Sequence, residues 1–372
     1  MLKLIPIMTF SVIMSIIISR RDLYYNSYYN EESREKLYTF ILIIVLGTFT
    51  GLRTFYNDTV TYTGIYEYLT PTLSELFSDF NISYADAIGF SVLNSILKTI
   101  GASSQDFVMF YGMLTMALYI TFLHKYAESF SFSTYLFFVF AGFIFAQAAI
   151  KQSIAMALGC WAFHYASNKE WKKYIFITIL ASLFHPYAII YFLIPFMTFQ
   201  PWTGKSYVWI ALFVVVAFSL HFMLGTILDI TTLMGADYDE SSFSGEGVNI
   251  FRVLVCLIPT FLSFLFRDSL YPTEDDSVYI IINLTMVNGL IMFVGLFGTA
   301  NYFARLANFF APFQLLAVPW IIRRSGSRNR TLLFICSIVC YFLFCYYENG
   351  ILRPFDITYD QTTLWNYIGE HF

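Results

Sequence analysis

The chain has 372 residues, 58% of them apolar and 12% charged, with a net charge of −4 and a mean hydropathy of +0.63. A soluble domain carries about 25% charged residues, so the composition excludes an ordinary water-soluble fold. Several apolar runs of about 20 residues indicate a polytopic membrane protein instead. Only helices and closed barrels satisfy their backbone in lipid. The runs are continuous and lack the strict alternation of barrel strands, so the expected class is all-α, a single integral membrane domain over 1–372 with about 11–12 transmembrane helices.

In chain order, the predicted spans are 4–19, 38–52, 105–123, 132–150, 152–167, 206–228, 249–266, 278–299, 303–322 and 331–347. The first is read as a retained helix. Arg20 and Arg21 follow its apolar stretch, the reverse of a cleavable leader. Residues 87–100, AIGFSVLNSILKTI, are short and carry Lys98; they are expected to be interfacial or re-entrant. Residues 174–199 hold His185 and Pro186 at their centre. Proline breaks the helical ladder and disfavours helix in the residue before it, which predicts two short helices entering and returning on one side. The five cysteines all lie in apolar runs, without zinc-like spacing.

With that re-entrant pair, the positive-inside rule orients the chain. All but seven of its 21 Lys/Arg fall in loops on one side, the cytoplasmic side, including the cluster Arg323, Arg324, Arg328 and Arg330. The outer side takes segments 53–103 and 229–248 and the tail 348–372. The outer seven are Lys3, Arg53, Lys98, Lys151, Arg252, Arg305 and Arg353.

Four of these, Arg53, Lys151, Arg252 and Arg305, begin, end or bend predicted spans. All four are expected at a similar depth near the outer interface. A charge within a membrane segment is a functional-site hypothesis; the bland alternative is snorkelling to headgroups. A ligand with two or more negative charges, such as a lipid diphosphate, would match them, and arginine suits phosphate through its planar fork. Tyr56, Tyr62, Tyr66 and Tyr68 follow Arg53. They fit either an interfacial aromatic belt or a sugar-binding surface. His185 is a packed residue or a general base; Asp58 is the competing base. Asp237 and Asp239 flank a tyrosine as in metal-dependent sugar transferases, a common and weak pattern. No P-loop, GxGxxG, HExxH or GxSxG motif occurs, and no metal, cofactor or nucleic acid is expected.

GLR at 51–53 with Asp58, Tyr62 and Tyr66 resembles the first motif of the Wzy/EpsG-type polysaccharide polymerases. KQSIAMAL at 151–158, with Lys151 and Gln152, is similar to their Arg-Gln-x-x-Ala motif. LASLFHPYAII at 180–190 resembles their Leu-Phe-His-x-Ser-Ala segment. GEGVNIFRVLVCLIP at 245–259 and RLANFF at 305–310 resemble later motifs carrying Arg252 and Arg305. The likeness runs in order from about residue 40 to 325. Three positions depart from it: Lys151 in place of arginine, Tyr187 in place of serine, and Phe309 in place of tyrosine.

The resemblance implies a membrane fold related to the lipid-using, GT-C-like glycosyltransferases. It implies polymerisation of undecaprenyl-diphosphate-linked repeat units at the outer face of a bacterial inner membrane, with lipid-linked donor and acceptor as partners. A chain-length regulator is left open as a further partner. Arg53, Arg252 and Arg305, with Lys151 and Gln152, would bind diphosphate, and His185 or Asp58 would take the acceptor's proton. An O-antigen-ligase-like transferase, a transporter of lipid-linked glycan and a membrane acyltransferase are the rival readings.

Overall fold

Apolar segments that shed water must close their own hydrogen bonds, and the computed structural model is helical accordingly. It describes residues 2–21, 28–78, 87–140, 142–233, 247–270, 276–298, 300–352, 354–359 and 369. Among them there is no strand beyond one antiparallel bridge, Phe55 with Thr358. Among the described residues three helices are long and apolar enough to cross a membrane, 104–126, 276–294 and 327–352, or five if each of two bent helix pairs is one span. Four shorter apolar helices accompany them. Large apolar side chains such as Phe218, Phe261, Ile335 and Val339 point outward, as a lipid-facing surface requires. The chain divides into two compact units, one drawn from 1–157 and 339–372, the other from 158–338.

The first unit contains α1 (Leu4–Arg21), α2 (Tyr28–Gly51), α3 (Thr59–Gly64), α4 (Leu73–Ser78), α5 (Ile88–Thr99), α6 (Ser104–Tyr126), α7 (Phe130–Val139), α8 (Gly142–Ala148) and the first turns of α9 (Ile150–Ser167). Helix α2 lies close against α6 because Gly47 and Gly51 leave room: a Cβ on Gly51 would stand 2.7 Å from the Met109 Cα. Small residues four apart are the usual device for tight packing in a membrane. Helix α6 starts on a capping box, Ser103 with Asp106. The short, amphipathic α5 joins α6 through Tyr111, whose hydroxyl donates to Asn94 Oδ1 at 2.9 Å. The predicted span 132–150 is interrupted: α7 and α8 meet at a bend of 50°. Residues 354–359 return over the end of α2. There Thr54 N–H donates to the Thr358 carbonyl at 2.9 Å, and the Tyr359 hydroxyl donates to the Phe49 carbonyl at 3.0 Å.

The second unit continues α9 and holds α10 (Trp171–Phe184), a 3-10 segment Pro186–Met197, α11 (Gly204–Leu233), α12 (Ile250–Leu265), α13 (Arg267–Leu270), α14 (Asp276–Val294), α15 (Ala300–Asn308), α16 (Ala311–Arg324) and the start of α17 (Ser327–Tyr346). The helix ends at Phe184, before His185 and Pro186, where proline forbids continuation. The two halves lie against each other, with the Tyr174 hydroxyl donating to the Tyr191 carbonyl at 3.0 Å. Helix α14, buried along most of its length from Ile280 to Val294, is the axis of this unit. Its amides tie down loop and break carbonyls: Asn283 Nδ2 donates to Met197 and Phe199 oxygens, each at 2.8 Å. The predicted span 303–322 is also interrupted. Helices α15 and α16 meet at 55°.

Candidate functional site

The candidates fall in both units: Arg53, Asp58, Lys151 and Gln152 in the first, His185, Arg252 and Arg305 in the second.

In the first unit Arg53 follows α2, where a snorkelling side chain was one expectation. The structure corrects that: Arg53 is 1% exposed. Its Nε donates to Thr59 Oγ1 at 3.0 Å, and its Nη1 donates to the Thr50 carbonyl in the last turn of α2. Burial lowers its pKa to about 10, opposed by the nearby Tyr359 phenol, so the guanidinium stays charged at neutral pH. A cation at a helix C-terminus offsets the helix dipole. Thr59 passes the link on by donating to the Tyr56 carbonyl at 2.6 Å. Arg53 therefore fixes the turn that carries Asp58.

Asp58 precedes α3 as its N-cap residue, yet its carboxylate caps nothing; it is half-buried. One helical turn on, Tyr62 offers its ring to the Lys151 ammonium at 5.6 Å. Phe90 offers a second ring at 5.1 Å, and the two rings meet edge to face at 5.8 Å. Lys151 thus rests in an aromatic corner, a cation–π arrangement. It occupies the first turn of α9, where the helix dipole opposes a cation and attracts an anion. Gln152 beside it is buried at 3% exposure. The start of α9 is set by Asn57, whose Nδ2 donates to the Ala148 carbonyl at 3.2 Å. Asn57 adopts φ 45°, a left-handed conformation that asparagine tolerates better than most residues. Of the tyrosines, Tyr66 is core, 1% exposed with its hydroxyl on the Ala102 carbonyl at 2.9 Å. Tyr56 packs on Phe355 of the tail.

The second unit carries three candidates, His185, Arg252 and Arg305. His185 packs on Phe309 just past α15, with ring centroids 5.6 Å apart. It also packs on Tyr187 at 4.9 Å, and Tyr187 meets Tyr302 of α15 at 5.4 Å. Two of the three departures from the polymerase pattern, Tyr187 and Phe309, are thus the two rings flanking the histidine. His185 Nδ1 accepts from the Tyr187 N–H at 3.3 Å and caps the 3-10 segment. Arg305 is exposed in the last turn of α15. Arg252 is half-buried in the first turn of α12, behind the N-cap Asn249. Val248, just before α12, donates its N–H to the Gly295 carbonyl at 2.7 Å. A Cβ on Gly295 would stand 2.9 Å from the Phe303 Cβ of α15, so the start of α12 and the body of α15 meet at the end of α14.

Residues beyond the sequence reading hold the break after Arg305. Asn288 Nδ2 donates to the Ala307 carbonyl at 2.6 Å, and the Tyr191 hydroxyl donates to the Phe309 carbonyl at 2.9 Å. Buried backbone groups freed by a bend need such partners. A buried amide in α14 was readable as a signal; its target was not. Asp237 and Asp239, and Arg353, lie outside the described residues.

These features define an all-α, multi-pass membrane protein with Arg53, Lys151, Arg252 and Arg305 at or near helix ends and helix breaks. The profile of the EpsG family matches residues 36–352, more than half of the chain, and the chain belongs to the EpsG family. That membership gives it a polymerase-type part in polysaccharide biosynthesis. Comparisons with curated proteins and with solved structures returned no match.

Proposed function

We propose that this protein joins oligosaccharide repeat units carried on undecaprenyl diphosphate, at the outer face of a bacterial inner membrane. A hydroxyl of the acceptor sugar attacks the anomeric carbon of the donor. The bond from that carbon to the diphosphate oxygen breaks, and its electron pair leaves with the lipid diphosphate. The hydroxyl proton passes to a base. Negative charge grows on the leaving phosphate, so cations already in place lower the barrier, each contact worth about 3–4 kcal/mol by analogy with oxyanion donors.

Lys151 with Gln152 in the first unit, and Arg252 and Arg305 in the second, are each assigned to phosphate. Arg53, sealed beneath the tail, is assigned to holding the Asp58 turn. Asp58 is assigned the proton, because an ionised carboxylate is an acceptor only. His185 is the alternative base; its Nδ1 accepts from the Tyr187 N–H.

The observation that carries this reading is the placement of Lys151 and Arg252 in first helical turns. There the dipole makes a cation unfavourable and a bound anion favourable. The test is Arg305→Ala in a host strain lacking the native copy, read by mass spectrometry of lipid-linked glycan. Accumulation of single repeat units supports the assignment, and normal polymer contradicts it. Long free chains on the lipid in the deletion strain would favour the ligase reading.

A further inference from the structure

Gln147 lies in α8, fully buried at 0% exposure. Neither its Nε2 nor its Oε1 has a hydrogen-bond partner. Leaving a buried donor or acceptor unmet costs about 1–3 kcal/mol per group, and most buried polar side chains are satisfied. Gln147 leaves two unmet on one side chain. Its surroundings mark the place. The next residue, Ala148, gives its carbonyl to Asn57 and so ends α8. One turn on, Lys151 begins α9 over the rings of Tyr62 and Phe90. The orphan amide, the helix start and the ammonium therefore belong to one short stretch of chain.

An amide presents a donor and an acceptor side by side, and adjacent sugar hydroxyls present the complement, one accepting and one donating. A phosphate could use only the Nε2–H and would leave Oε1 unmet. We propose that Gln147 binds two hydroxyls of the sugar nearest the lipid diphosphate, while Lys151 engages the phosphate. This rests on the function proposed above. Gln147 is then a specificity-determining residue of the first unit, and its amide is satisfied only when the glycan is bound.

The experiment uses the full chain in detergent with Gln147→Met, which keeps length and removes both polar atoms. The probes are lipid-linked repeat units extracted from a host strain lacking this chain, and undecaprenyl diphosphate bearing no sugar. Without ligand, Gln147→Met should melt at or above the wild-type temperature, because an unmet buried amide has been removed. Both proteins should be stabilised alike by the bare lipid diphosphate. The glycan-bearing lipid should stabilise the wild type further but not the variant, whose kcat/KM for elongation should fall about tenfold, as expected for two lost neutral hydrogen bonds. An equal extra shift in both proteins, or an unchanged kcat/KM, would overturn the role of Gln147, as would a melting temperature well below wild type with an intact glycan shift. If neither lipid shifts the wild type and it elongates nothing, the proposed function itself fails. Gln147→Leu provides the same comparison should Gln147→Met not be recovered.

Discussion

The Tyr191 hydroxyl donates to the Phe309 carbonyl at 2.9 Å across 118 residues of sequence, at the bend between α15 and α16. The Tyr191 ring fits there only because position 159 is glycine: a Cβ would lie 1.9 Å from its Cε2. Gly159→Ala is therefore expected to force this buried ring out of place at a cost of about 2 kcal/mol. Tyr191→Phe keeps the ring and orphans the carbonyl, for about 1–2 kcal/mol. Thermal denaturation in detergent should rank wild type above Tyr191→Phe above Gly159→Ala, and the polymer made should follow the same order, because the bend positions Arg305.

Arg53 and Arg305 should separate structure from chemistry. Arg53 is sealed and bonded within its own unit, whereas Arg305 is exposed. Arg53→Ala is expected to lower the melting temperature markedly, since it removes hydrogen bonds from a buried charge worth about 1.5–3 kcal/mol each. Arg305→Ala should leave the melting temperature near wild type and reduce elongation at least a hundredfold. Melting curves and turnover on the same preparations check both.

Asn57 combines a left-handed backbone with a side-chain bond to Ala148. Asn57→Gly keeps the conformation and loses the bond; Asn57→Ala loses both. The alanine variant should be the less stable by about 1 kcal/mol, measured by thermal denaturation. Reversal of that order would mean the backbone at 57 is relaxed in solution.

Lys151 needs charge and an aromatic corner. Lys151→Arg retains both, since a guanidinium also stacks on aromatic faces, and should elongate within a few-fold of wild type. Lys151→Met retains the stem alone and should lose about a hundredfold in kcat/KM. Equal rates for the two would remove Lys151 from the site.

The two interrupted spans show what was legible in the sequence. The break at His185 was visible because Pro186 declares it locally. The bend between Val139 and Gly142 has no proline beside it, and an apolar run reads alike whether straight or bent. The bend after Asn308 is held by Asn288 and Tyr191, which lie elsewhere in the chain. Spans 152–167 and 249–266 emerged close to α9 and α12, since their boundaries rest on local signals, with Asn249 capping the latter. Arg53 was legible as an unusual charge but not as a buried one, because residues 354–359 that cover it arrive about 300 positions later. Gln147 gave no signal at all: its significance is that nothing meets it.

The most direct measurement is mass spectrometry of extracted lipid-linked repeat units incubated with the purified full-length protein. Glycan masses should rise in whole repeat units as free lipid diphosphate appears, and Arg305→Ala should abolish both. Lipid-linked glycan of unchanged mass in the presence of folded wild-type protein would contradict the polymerase assignment.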